Sequence, residues 1–175
     1  MYRRAGGAWR ALDFNRTTPL NGAIFTAMGI AILANTWFAF RLFWLFGRDA
    51  TGLAPACLLG IRLGLAIFVA ASLQGFMMVS RLAHSVGVPD GGPGLPFVNW
   101  STRGGDLRIA HFLGLHALQV LPLTGYLASK YLNEPSASRA VITLALAIAA
   151  GVVLAVAQAL AGRPLLCERL VSVRK

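Results

Sequence analysis

Charge is scarce in this sequence, and acidic charge is the scarcest. Only 13% of its 175 residues are charged, with 6 Asp and Glu against 16 Lys and Arg. Soluble globular domains carry about 25% charged residues, so the composition excludes an ordinary soluble domain. The two cysteines, Cys57 and Cys167, are too few for a disulfide framework, and we expect two unpaired thiols. The sequence also lacks a CxxCH motif, which excludes covalently attached haem of that type.

Long apolar stretches fill most of the chain. They cover residues 21–46, 53–82, 107–128 and 141–160, and 57% of all residues are hydrophobic. A helix of about 20 apolar residues crosses the hydrocarbon core of a bilayer. The sequence therefore predicts an all-α fold, an integral membrane four-helix bundle that forms a single transmembrane domain over residues 1–175. A central loop over 84–106 separates the second helix from the third.

The basic residues are distributed unevenly between the segments that connect these helices. With four spans, one side of the membrane receives most of the cations, whereas the other side receives only Arg48, Lys130 and Arg139. Cytoplasmic segments are enriched in Lys and Arg. We therefore predict a multi-pass protein of the inner (cytoplasmic) membrane with a cytoplasmic N-terminus, C-terminus and central loop. The net charge of +10 is interpreted as contact with anionic lipid head groups and not with nucleic acid.

Polar residues are concentrated around the central loop and the start of the third helix. Asp106 follows two glycines and is placed to cap that helix. The helical repeat puts Arg108, His111, His116 and Gln119 on one stripe, and such a stripe is expected to face the protein interior because lipid offers no hydrogen bonds. The sequence predicts a pocket between helices two and three, covered by the loop; its residues are His84, Trp100, Asp106, Arg108, His111, His116 and Gln119.

Three functions are compatible with such a pocket. The first is the binding or passage of a small ligand or a proton. The second is a haem b- or metal-binding redox protein, with His84 and His111 as ligands from opposite helices. The third is a structural or assembly subunit, in contact with other membrane subunits or with further copies of itself. Enzymatic activity stays open: Asp106 with a histidine could do acid–base work, but no nucleophile motif accompanies them.

The segment Gly104-Gly105-Asp106-Leu107-Arg108, followed by His111-Phe112 and by the run from Gly114 to Gln119, resembles one in small bacterial four-helix membrane proteins. The likeness covers this central part of the chain. The family carries no assigned activity, so the resemblance implies a fold and a membrane location, with no ligand or reaction.

Overall fold

Four α-helices make up most of the structure, a computed structural model that describes residues 18–48 and 52–166. They are α1 (Pro19–Arg48), α2 (Pro55–Arg81), α3 (Leu107–Tyr131) and α4 (Glu134–Leu160). Between α2 and α3, the short strands β1 (Ser85–Val86) and β2 (Gly105–Asp106) pair antiparallel. The prediction of four helices is confirmed. Cys167 lies outside the described residues, and Cys57 is a free thiol.

Three of the four helices, α1, α2 and α4, are long and apolar enough to cross a membrane. The helix α3 is also long, but it does not reach the same hydropathy. The difference has a simple cause, since His111, His116 and Gln119 interrupt its apolar residues. Hydropathy alone therefore supports three spans within the described residues, one fewer than the four predicted.

The helix bounds differ most from expectation at the start of α4, which begins at Glu134 and not at residue 141. The side chain of Asn133 accepts a hydrogen bond from the backbone N–H of Ser136 at 3.1 Å, and Pro135 occupies the first turn. A capping residue followed by an acidic residue and proline is a typical helix start. Hydropathy misses this turn because the turn is polar.

Small residues bring α2 and α3 into close contact. A Cβ atom added at Gly60 would clash with the backbone carbonyl of Leu121, and one at Gly64 would lie 3.0 Å from the carbonyl of Ala117. Gly125 of α3 approaches the backbone of Ala56 in the same way. Small residues four apart allow such approaches between membrane helices. The Gly60–Gly64 pair therefore joins helices of one chain, and it leaves no room for a pocket along this contact.

The helix α1 stands apart from this compact unit. It packs mainly against α2, whereas α3 packs against both α2 and α4. Only 6% of the most apolar stretch of α1 is buried, against 39% for α2. One attachment lies near its end, where Nε of Arg62 in α2 donates to the carbonyl of Phe46 at 2.6 Å. A groove separates its first half from the second half of α2.

Candidate functional site

The loop between α2 and α3 is held by four charged or ionisable residues, His84, Asp90, Asp106 and Arg108, which we call the loop clamp. Asp106 is the N-cap of α3, as predicted, and its carboxylate accepts the backbone N–H of Arg108 at 3.0 Å. The Arg108 guanidinium donates to both oxygens of the same carboxylate, at 3.0 and 2.7 Å. It also donates to the carbonyl of Asn99 at 2.6 Å. One ion pair thus fixes the helix start and the loop together.

The second half of the loop clamp surrounds His84, which is buried. The backbone N–H groups of His84 and Ser85 donate to the Asp90 carboxylate at 3.1 and 2.8 Å. Nδ1 of the imidazole lies 3.4 Å from an oxygen of Asp90 and 3.9 Å from an oxygen of Asp106. The carbonyl of His84 accepts the N–H of Leu107 at 2.9 Å. His84 therefore ties the end of α2 to the start of α3.

The electrostatics of the loop clamp favour an ionised Asp106. Burial alone raises its pKa. The side-chain hydrogen bond and positive charge of Arg108, with the backbone N–H groups of Ser101 and Arg108, outweigh burial and hold the pKa below its ordinary value of 3.8. A carboxylate with several donors is stabilised in its charged form. Asp106 is thus a fixed anion that neutralises Arg108.

Catalysis is poorly served by this arrangement. Ser85 Oγ and both carboxylates approach the same imidazole nitrogen of His84, Nδ1, with Ser85 at 3.2 Å. A nucleophile–histidine–carboxylate relay needs the nucleophile on one ring nitrogen and the carboxylate on the other. Within residues 18–48 and 52–166, no three His, Cys, Asp or Glu side chains are grouped to hold a metal ion. The hydrogen bonds of the loop clamp hold the loop to the end of α2 and the start of α3.

The other predicted ligand, His111, has a different environment from His84. It lies one helical turn into α3 and contacts the backbone of α2, where its Nδ1 is 2.8 Å from the carbonyl of Ala71. A carbonyl oxygen only accepts, so Nδ1 carries the proton in this contact. The ring lies against Gly75, whose missing side chain makes room for it. The structure thus places the two histidines in separate settings.

A large groove opens beside His111, between the first half of α1 and the second half of α2. Its volume is about 530 Å³, within the range of small-molecule sites. Apolar side chains dominate its wall, and Asn35, Ser72 and His111 contribute the polar groups. We call it the α1 groove; it is lined by Phe25, Met28, Gly29, Ile32, Leu33, Asn35, Phe68, Ser72, Gly75, Phe76, Met78, Val79, His111 and Leu115.

Of the remaining predicted site residues, Trp100 lies in the loop and is half-buried, whereas His116 and Gln119 lie on the exposed face of α3. The Trp100 ring meets the Phe112 ring edge-on at 5.6 Å, and the Phe112 and His116 ring centroids are 4.0 Å apart. His116 Nδ1 donates to the carbonyl of Phe112 at 2.7 Å. With its amide oriented to donate, Gln119 reaches the carbonyl of His116 at 3.1 Å. Both side chains donate to carbonyls of their own helix, and both residues are exposed, so the stripe faces outward at His116 and Gln119, where it was predicted to face the interior.

Comparisons with known proteins supply no functional assignment. No family model, curated protein or solved structure matches the chain.

Sequence reasoning missed Asp90 and the α1 groove. Asp90 precedes Gly91 and Gly92 in a turn, and Asp in such turns commonly accepts nearby backbone N–H groups, so a signal was present. The groove left a weaker signal, a polar Asn35 in α1 and a glycine, Gly75, on the face of α2 that meets His111. The space itself depends on how far α1 diverges, which no pattern in the sequence specifies.

Proposed function

We propose that this protein is an inner-membrane protein whose α1 groove binds a small lipid-soluble molecule. In this proposal all four helices cross the bilayer, and both termini and the central loop are cytoplasmic. Three apolar helices support the membrane location. The helix α3 has 25 residues, about 37 Å at the helical rise, and it packs between α2 and α4, so it is long enough to cross with them.

The observation that carries this proposal is the combination of an apolar groove and one immobilised polar group. The groove has an apolar lining that includes Phe25, Met28 and Phe76. His111 also lines it, and one nitrogen of its ring is already hydrogen-bonded to α2. Ligand sites typically combine an apolar lining with a few positioned polar groups. The groove begins beside α1, which has little contact with the other helices, so a molecule dissolved in the bilayer could enter sideways.

Two glycines of α1 provide a matched test. Gly29 lines the groove and Gly22 does not, and a Cβ atom at either position meets nothing within 4 Å. We expect Gly29→Phe to fill the groove without disturbing the fold, and Gly22→Phe to leave the groove open. The assay is photolabelling of the protein in lipid nanodiscs by a diazirine derivative of decanol. Loss of labelling in Gly29→Phe alone supports binding in the groove; equal labelling of both variants and the wild type rejects it.

Orientation is tested at the tip of the loop. Phe97 is fully exposed, so a Phe97→Cys variant without Cys57 and Cys167 presents one accessible thiol. We expect a membrane-impermeant maleimide to label it only after the cells are opened. Labelling of intact spheroplasts would place the loop outside and reject the proposed topology.

Haem or a metal ion at His111 is the second candidate. Metal-binding histidines usually donate their other N–H to a carbonyl or carboxylate, and His111 Nδ1 makes this contact with Ala71. Met28 and Met78 line the same groove, and a thioether can complete axial haem ligation. A Soret band in the purified protein that disappears in His111→Ala supports haem. A colourless, metal-free protein rejects this candidate. If photolabelling fails as well, and replacing His84, His111 and His116 leaves the fold and the cellular phenotype intact, a structural subunit is the function left.

A further inference from the structure

The hydrogen bonding of His111 restricts the chemistry of a groove ligand. Nδ1 donates its proton to the carbonyl of Ala71 at 2.8 Å. In the neutral ring Nε2 then carries a lone pair and accepts. Among residues 18–48 and 52–166, the His111 ring makes its hydrogen bond through Nδ1, and none is made by Nε2. We infer that the ligand of the α1 groove carries a hydroxyl group that donates a hydrogen bond to Nε2 of His111, an inference that rests on the proposed binding function.

The imidazole is held in place before any ligand arrives. A Cβ atom at Gly75 would lie 2.8 Å from Cε1 and 3.2 Å from Nδ1 of His111, which is closer than packed atoms come. The ring therefore packs directly on the backbone of α2 while Ala71 fixes its tautomer. A polar group with a fixed orientation loses little freedom when it binds. His111 is thus suited to select one kind of partner.

The rest of the groove specifies the body of the ligand. On α1 the lining runs from Phe25 to Asn35, a distance of about 15 Å along the helix. Most of this length is apolar, which fits an alkyl chain or a ring system. Ser72 lines the same groove from α2 and is 4% exposed. His111 meets α2 at Ala71 and Gly75, within the stretch of α2 that lines the groove. A single hydroxyl on an apolar body matches this distribution, as in a long-chain alcohol or an alkyl phenol.

A competition experiment separates the hydroxyl from the apolar body. Decanol and octylphenol are compared with their methyl ethers, decyl methyl ether and octylanisole, as competitors of the diazirine probe in nanodiscs. Each ether keeps the apolar body and loses the donor. One net hydrogen bond corresponds to an affinity difference of about three- to tenfold. In the wild type we expect each hydroxyl compound to compete better than its ether by this factor. If decanol is the more effective competitor, the site prefers an alcohol; if octylphenol is, it prefers a phenol.

Two substitutions of His111 separate its two roles, the acceptor at Nε2 and the donor at Nδ1 that bonds to Ala71. His111→Asn keeps a donor at the position of Nδ1, so it retains the bond to Ala71 but has no acceptor at the position of Nε2. In this variant we expect each hydroxyl compound and its methyl ether to compete equally with the probe. Equal competition would also show that the preference in the wild type does not come from different partition into lipid. His111→Gln reaches the position of Nε2 with an amide oxygen and is expected to keep the preference for the hydroxyl.

The outcomes separate the two proposals. If ethers and hydroxyl compounds compete equally in the wild type, the hydroxyl inference is overturned while groove binding stands. An unchanged preference in His111→Asn also overturns it, because the donor would then bind another group. If Gly29→Phe labels like the wild type, groove binding itself fails.

Discussion

Removal of the Asp106 carboxylate should release the central loop. Asp106 is 2% exposed, and its oxygens accept the backbone N–H groups of Ser101 and Arg108 and two bonds from the Arg108 side chain. The backbone of Gly104 depends on the same contact, because its N–H donates to the Ser101 hydroxyl at 3.0 Å. The substitution Asp106→Ala therefore removes the contacts that hold the backbone around the peptide bond between Arg103 and Gly104.

The expected cost follows from these contacts. Loss of an N-cap costs about 1 kcal/mol. The Arg108 side chain is 28% exposed, so its charge-assisted bonds contribute about 1.5 kcal/mol, the low end of their range. The N–H of Ser101 loses its acceptor as well. Together these give about 3 kcal/mol for loop opening, which is on the order of a hundredfold in the open population.

Limited trypsin digestion measures this population. Cleavage between Arg103 and Gly104, followed by mass spectrometry, should become about a hundredfold faster in Asp106→Ala when opening is rapid compared with cleavage. Arg108→Lys keeps the charge but loses the two-pronged contact, and should give an intermediate rate. Glu134→Gln, at the first turn of α4, serves as the control. Wild-type cleavage in Asp106→Ala would refute the assignment of the loop clamp.

Three further changes test other parts of the structure. Because the folded pKa of Asp106 is lowered from 3.8, its stabilisation is complete above about pH 4 and is lost as pH falls through the folded value; hydrogen exchange of the loop amides should rise there in the wild type but show no such step in Asp106→Asn. Arg62→Met removes the bond to the Phe46 carbonyl and should lower thermal stability in detergent by about 1 kcal/mol, more than Arg41→Met on the exposed face of α1. Gly60→Ala forces a Cβ atom into the carbonyl of Leu121 and should destabilise by about 1–3 kcal/mol in the same assay, whereas Gly22→Ala, with open space around it, should not. Equal effects within either pair would contradict the packing described above.

The helices were predictable because long apolar stretches can be read directly from the sequence, without knowledge of any contact between distant residues. The predicted second and third helices agree with α2 and α3 to within a few residues at each end. The start of α4 was missed because its first turn is stabilised by the Asn133 cap and Pro135, which are polar or neutral in hydropathy. The residues Asn133, Glu134 and Pro135 are nevertheless a local signal for a helix start, and they place it correctly.

The site was predictable only where it depends on neighbours in sequence. Asp106 as a cap and Arg108 beside it follow from positions two residues apart. The inward stripe was inferred on the assumption that polar side chains seek other helices, but His116 finds an acceptor in the carbonyl of Phe112, one turn earlier. A helical period shows which residues share a face, and it does not show which face is covered.

The α1 groove depends on contacts that are distant in sequence. Small residues such as Gly60 and Gly125 bring α2 and α3 together at the end of the helix pair away from His84. Nearer to His111, Gly114 of α3 packs against Ala71 of α2, and this close packing limits the space between the two helices where the pocket was predicted. The first half of α1 also has small residues such as Gly22 and Gly29, but a Cβ atom at either position would meet nothing within 4 Å, so small residues alone do not bring α1 close to α2. Side-chain volume at several helix contacts at once determines this geometry, which explains why the sequence pattern did not place the groove.

The most direct measurement is the position of the photolabel in the wild-type protein. After illumination in nanodiscs with the diazirine derivative of decanol, the labelled residues are identified by mass spectrometry of the digested chain. Binding in the α1 groove predicts labels on residues 25–35 of α1 and 68–79 of α2, displaced by excess decanol. Labels spread over the exposed face of α4, for example at Leu146 and Leu154, and not displaced by decanol would show contact with bulk lipid only and would contradict a binding groove.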